Sequence, residues 1–190
     1  MQNIPYDDLE IGMQAEANRF CRPDDLYVFA NASGNLNPMH LPRVDGDGVV
    51  PPQSGAPPMW FASLISGVPG GELPGPGTLY HSQTLRFHGR AHAGDTLTAG
   101  VRLTAKGPGR RVTFETWVDA ADGRRIVDGE ADVIAPDRKI SFDASDVPGL
   151  TVQRHRHFDR LLERAEPLPA LPTAVVAPEK PDALGGAILA

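Results

Sequence analysis

Pro57-Pro58-Met59-Trp60-Phe61-Ala62-Ser63-Leu64-Ile65-Ser66 is the stretch that decides the fold. Apolar side chains fall on nearly every face of a helix drawn through it, so the spacing predicts a helix buried on all sides. The two prolines suit its first turn, where a missing N–H does no harm. Gly67-Val68-Pro69-Gly70-Gly71 is expected to stop it, because that mixture supplies left-handed backbone positions and lacks donors for another turn. After Gly75-Pro76-Gly77 the hydrophobic period changes from helical to two, which predicts strands over residues 79–87, 96–104, 111–118 and 125–135. Turn clusters separate them: Ala93-Gly94-Asp95, Lys106-Gly107-Pro108-Gly109 and Ala121-Asp122-Gly123. Four strands in succession suggest a meander.

On the N-terminal side, Arg22-Pro23-Asp24-Asp25 followed by Leu26, Val28, Phe29 and Ala32 reads as a helix start, with a proline and acids where the helix dipole favours them. A short helix is predicted over residues 23–33 and an early strand over 13–20. Residues 41–55 are rich in Gly, Pro and Asp without either periodicity, and are expected to form an irregular loop. The order strand, short helix, loop, apolar helix, antiparallel strands is best satisfied by a sheet curling around the one fully apolar helix. This is an α+β chain with hot-dog architecture, an antiparallel sheet wrapped around a buried central helix. Such a sheet leaves an open edge, and edge-to-edge pairing into a homodimer is the natural way to cover it.

The chain has 190 residues with 41% hydrophobic content, enough for one core of ordinary size and a short appendage. With 18 Lys and Arg against 24 Asp and Glu, it has no overall positive field to attract phosphate backbones or anionic lipid, which argues against nucleic acid and membrane partners. The lone Cys21 cannot form an internal disulfide, and no basic start followed by an apolar run marks a signal peptide. A cytoplasmic setting is expected. Composition shifts near Pro148, where Phe158, Leu161, Leu162 and Ala165 follow at helical spacing. The expected division is a hot-dog domain over residues 1–147, an amphipathic helix and proline-rich linker over 148–172, and over 173–190 a fragment like the opening of an α/β domain, with a short strand at Thr173-Ala174-Val175-Val176.

Ser33-Gly34-Asn35-Leu36-Asn37-Pro38-Met39-His40 resembles the S-G-D-x-N-P-x-H loop of the MaoC-like (R)-specific enoyl-CoA hydratases. Met59-Trp60, Leu73-Pro74-Gly75-Pro76-Gly77-Thr78, Ser82-Gln83, Leu85-Arg86-Phe87 and Gly94-Asp95-Thr96 follow in that family's order and spacing. The similarity spans residues 4–139 and is nearest to the N-terminal half of bifunctional enoyl-CoA hydratase/phosphate acetyltransferase proteins. It implies a lyase that adds water to a trans-2-enoyl-CoA thioester, in fatty acid metabolism, with CoA part of the substrate and no metal or other cofactor. It also implies that the loop's Asp and His act together on the water. His40 stands at the His position, whereas Asn35 occupies that of the Asp. An amide can orient a water but cannot take its proton, and general acid–base catalysis is worth about 10² to 10⁴ in rate.

The resemblance further implies that a Gly at the start of the central helix offers its N–H to the thioester carbonyl. Here Ala56-Pro57-Pro58-Met59 replaces the family's A-H-G-M, and Pro58 has no N–H. Losing one such donor is worth about 2.7 to 4 kcal/mol of transition-state stabilisation. Asn35 and His40 are thus the candidate catalytic pair, with Ser33, Gly34, Pro58 and Met59 as candidate substrate contacts in an impaired site. Two alternatives stay open: a non-catalytic acyl-CoA-binding domain, and a dimerising scaffold. Ser66 and Ser82 could face ligand or solvent. His88 with His92, and His155 with His157, lack the further ligands of a closed metal site. Arg110-Arg111 and Arg124-Arg125 read as solvated faces, with contact to CoA phosphates as the other possibility.

Overall fold

The structure is a computed structural model that describes residues 1–42, 55–149, 152 and 161–169. Two compact units divide the chain, Met1–Val152 and Gln153–Ala190. In the second, residues 161–165 are helical, with Leu161 and Leu162 exposed. The strand and helix start expected over 173–190 lie outside the described residues, as does 43–54 of the irregular loop.

Helix α1, Pro23–Ser33, forms for the reasons visible in its sequence. Pro23 opens it, Asp24 and Asp25 sit in its first turn, and Asp25 Oδ2 accepts a hydrogen bond from the Arg22 N–H at 3.3 Å. Gly34 ends it with φ at 72°, the left-handed conformation that glycine adopts without a Cβ clash. Helix α2, Pro58–Gly71, is longer than its composition suggests. The glycine cluster does not stop at Gly67; the helix runs through Pro69 to Gly71. Val68 and Pro69 are buried in the last turns. Burying a valine contributes about 1.5 to 3 kcal/mol, comparable with the roughly 3 kcal/mol that a proline costs in a helix interior, and Pro69 is itself buried. Packing therefore overrides propensity here.

The sheet contains β1 (Gln14–Phe20), β2 (Leu79–Gln83), β3 (Arg86–Phe87), β4 (Thr96–Lys106), β5 (Arg111–Ala120) and β6 (Arg125–Ile134). Its order is β1-β4-β5-β6-β2, with β3 also on β6, and every pairing is antiparallel. The expected four-strand meander is therefore a three-strand one, because the segment after α2 pairs with the last strand and not with the next. Alternation specifies which residues share a face but not which strand lies alongside. Trp60, Phe61, Ile65 and Val68 of α2 join the core formed by the inner face of the sheet, including Leu97, Val101, Phe114 and Val118. Met59, Ser63, Ser66 and Gly67 are exposed, so within one chain the sheet wraps part of the helix circumference and not all of it. Cys21 is fully buried, and burial, aided by the charges of Asp25 and Asp95, pushes its thiol up to about 12.

The segment following α2 is also broken in two, with a register shift between Tyr80 and Ser82. Just beyond, the Thr84 backbone crosses β6 so closely that a Cβ on Gly129 would meet the Thr84 carbonyl oxygen at 1.8 Å. Gly129→Ala is expected to destabilise the fold by about 1 to 3 kcal/mol through overpacking. At Gly67, where a Cβ meets nothing within 4 Å, alanine is expected to add up to about 1 kcal/mol of helix stability. Thermal unfolding of the two variants, side by side, checks both signs.

Candidate active site

The loop from α1 to the short 3-10 turn Pro38–His40 is held by its own side chains. Ser33 Oγ donates to the Phe29 carbonyl at 2.7 Å and accepts from the Asn35 N–H at 3.2 Å, so this hydroxyl fixes the exit from α1. Asn35 Oδ1 accepts from the Asn37 N–H at 3.3 Å, and Asn37 Oδ1 accepts from the Met39 N–H at 3.1 Å. The His40 N–H then reaches the Asn37 carbonyl at 3.0 Å. These are Asx turns, in which a short side chain supplies an acceptor to the backbone two residues on. The consequence for Asn35 is specific. Its oxygen is committed to the loop, and its Nδ2 is the end left to meet a ligand.

His40 is oriented from the other side of the site. Its Nδ1 lies 3.0 Å from the Gly55 carbonyl oxygen. A carbonyl only accepts, so Nδ1 carries a proton and, in the neutral ring, Nε2 presents the lone pair. The tautomer required of a general base is thereby set by one backbone oxygen. Gly55 lies three residues before α2 and is held to the segment ahead of β4: Ala56, next in the chain, donates its N–H to the Ala91 carbonyl at 2.7 Å and Gly55 forms a bridge with His92.

At the start of α2, Pro57 and Pro58 offer no N–H, and the Trp60 N–H turns back to the Pro57 carbonyl at 2.9 Å. The first donor at the positive end of this helix is the Met59 N–H. Pro58 and Met59 are both exposed. The structure thus brings Asn35, Asn37 and His40 into one hydrogen-bonded loop and joins it, through Gly55, to the helix terminus at Pro58 and Met59. Ser33 and Gly34 sit at the loop's entrance, where the one caps and the other turns the chain. Gly55 left no trace in the sequence reading, because a tautomer chosen by a backbone carbonyl needs no particular side chain.

The remaining constellations are otherwise engaged. His88 Nε2 meets Asp128 at 2.9 Å, and the His92 N–H is bound by Asp95 at 2.8 Å. Arg125 grips Asp119 and lies over Trp117, Arg124 pairs with Asp122, and Arg110 donates to the Ala135 carbonyl. Ser66 is exposed and Ser82 Oγ reaches Asp132 at 3.3 Å. Among the described residues no group of three His, Cys, Asp or Glu could hold a metal ion, and no helix is long and apolar enough to cross a membrane. A groove of about 520 Å³ opens between α1, α2 and β1, lined by Val28, Phe29, Trp60 and Leu64 among others, but neither Asn35 nor His40 borders it.

A six-stranded antiparallel sheet around one helix, with an Asn-His loop set against that helix's N-terminus, defines a hot-dog protein of the MaoC-like kind. Solved structures agree: a MaoC-like dehydratase matches 70% of this chain and 42% of its own with a TM-score of 0.58 at 18% identity, a likeness of fold alone. Nearer is the unliganded R-hydratase PhaJ1 of Pseudomonas aeruginosa, 38% identical with a TM-score of 0.73, covering 80% of this chain and 98% of that one. The (R)-specific enoyl-CoA hydratase of Rhodospirillum rubrum is 36% identical over 134 residues, 70% of this chain and 92% of the relative. That of Aeromonas caviae is 33% identical over 129 residues, 67% and 96%. No family model matches the chain. The chain belongs to the MaoC-like (R)-specific enoyl-CoA hydratase family.

Proposed function

We propose that this chain binds trans-2-enoyl-CoA thioesters and hydrates them with His40 as its one proton-transferring side chain, at a rate reduced by the changes at Asn35 and Pro58. The observation that carries the reading is the Nδ1 contact to Gly55, which leaves Nε2 free to act as base. In this mechanism Nε2 takes a proton from water as its oxygen bonds to C3. The C2=C3 electron pair moves toward the thioester, and the proton held on Nε2 then passes to C2. Asn35 Nδ2 holds the water without accepting its proton. Met59 N–H supports the thioester oxygen in place of the missing donor at Pro58, and Ser33 and Gly34 shape the approach. CoA enters as part of the substrate, and the chemistry asks for no metal or redox group.

A cytoplasmic homodimer is part of the same proposal. β2 ends the sheet and is exposed over most of its length, with Leu79 63% and Tyr80 41% exposed, the kind of edge that a second copy covers. The assay is loss of the conjugated thioester absorbance of crotonyl-CoA. Turnover above the uncatalysed rate supports the reading and its absence removes it. The alternative of a non-catalytic acyl-CoA-binding domain then rests on calorimetry with butyryl-CoA, where an absence of heat leaves only the scaffold. Pro58→Gly is expected to raise crotonyl-CoA turnover by about tenfold, the worth of one added hydrogen bond, and no more because Met59 already supplies a donor. Its kcat against its KM locates the gain in the transition state.

A further inference from the structure

An open sheet has two edges, and only β2 is assigned to the homodimer above. Strand β1 forms the other: β4 lies along one side of it, and among the described residues no strand lies along its other side. The bonds at its two ends show which backbone groups that open side presents. The Leu103 N–H reaches the Met13 carbonyl at 2.8 Å, and the Cys21 N–H reaches the Asp95 carbonyl at 2.8 Å. Pairing between them is continuous, so the odd-numbered residues bond to β4, while Gln14, Glu16, Asn18 and Phe20 turn their N–H and C=O groups outward. Such a row is a template for a further strand.

Two pairing edges on one chain have a consequence for assembly. Pairing of β2 with β2 about a two-fold axis closes by itself, but with β1 pairing to β1 as well, copies add at both ends of the sheet without closure. A chain that stops at a dimer needs β1 blocked. Side-chain alternation shows what blocks it. Ala15 and Ala17, opposite Val101 and Ala99, face inward and pack against the core. Arg19, opposite the fully buried Leu97, carries a charge onto that same face. Its Nη2 lies 3.6 Å from Asp25 Oδ1 on α1, and the side chain is 60% exposed. The surface around the pair is apolar, with Val28, Phe29 and Leu64 lining the same groove. A second β1 laid along this edge would cover the groove and strip water from the guanidinium, and it would bring only another Arg19 and Asp25. An ion pair in water contributes little, whereas one taken out of water without new hydrogen bonds is costly. An inward-pointing charge on an edge strand therefore opposes pairing.

We propose that Arg19, held by Asp25, guards the β1 edge against a second copy of this chain, so that the dimer formed through β2 does not grow into an open row of copies. The proposal rests on the β2-edge dimer above. Sedimentation velocity on the full chain over a wide range of concentration tests it. The unaltered chain and Arg19→Lys, which keeps the charge, are expected to stop at dimers. Arg19→Val is expected to form species larger than the dimer, with a mean size that rises with concentration. Moving the charge to the other edge separates edge pairing from misfolding. Tyr80 pairs with Val133, which is fully buried, so a lysine there points inward from β2. Arg19→Val combined with Tyr80→Lys leaves one open edge and should stop at dimers again. Arg19→Thr serves in both roles if thermal unfolding shows that the valine variant does not fold. An Arg19→Val chain that stays dimeric overturns the guard and leaves the β2 dimer standing. A monomeric unaltered chain whose Arg19→Val variant dimerises overturns the β2 dimer and supports the guard. Monomers throughout overturn both. Large species that persist in the double variant do not come from edge pairing and overturn the guard alone.

Discussion

Asn35→Asp is expected to raise the rate of crotonyl-CoA hydration by about 10² to 10⁴, the range of a restored general base. The geometry makes the exchange nearly isosteric. One carboxylate oxygen can keep the acceptor role that Asn35 Oδ1 plays toward the Asn37 N–H, so the Asx turn survives, and the other takes the place of Nδ2. Where the amide could only point at a water, the second oxygen can receive its proton and share the work with His40 Nε2. The loop is exposed at residue 35, so the new charge stays in contact with solvent and its desolvation is modest. Unfolding temperature should change little. A gain in kcat at unchanged butyryl-CoA affinity shows that the pocket is intact and the native chain lacks only a base. A folded variant with no gain places the barrier at Pro58 or at the entrance and sinks the present account of Asn35.

His40→Ala is expected to lower whatever turnover the chain has by about 10² to 10⁴, to the level of binding alone. Unlike the previous change, this one removes two things at once. It deletes the base at Nε2 and leaves the Gly55 carbonyl without its donor. His40→Asn separates them, because an amide can still donate to Gly55 but offers no imidazole. If the Asn variant is as inactive as the Ala variant while both bind butyryl-CoA as the parent does, the imidazole acts in the chemical step. If Asn restores turnover, His40 serves as a tie between the loop and α2, and the proton must come from elsewhere.

Much of this was legible beforehand, for reasons that can be named residue by residue. Pro23, Asp24, Asp25 and Gly34 carry their own start and stop signals, so α1 runs over the residues its composition indicates. Strands β4, β5 and β6 follow from alternation and from turns rich in Gly and Asp. The loop from Ser33 to His40 could be recognised because its residues resemble a family motif read within eight consecutive positions, and its turns are closed by side chains from within that same stretch. Where the reading went astray, the deciding contact was distant. Whether Gly67 and Pro69 end α2 depends on whether Val68 has a core to enter, and that core is supplied by strands 30 to 60 residues further on. The place of β2 beside β6 is likewise a matter of which edge remains open once the meander has formed.

By itself, then, the sequence determined the class of fold, the family, the likeness of the loop, and that an amide stands at residue 35 and a proline at residue 58, since these depend on residue type and short-range spacing. Only the tertiary structure decided the proton position on His40, which Gly55 sets from fifteen residues away. It alone placed Tyr80 and Gln83 on one side of β2, and left Gln83 Oε1 buried with no hydrogen-bond partner among the described residues. The physical reason is common to all three. Hydrogen bonds to backbone carbonyls and the register of paired strands are properties of segments brought together by folding, and neither leaves a mark on the residues that take part.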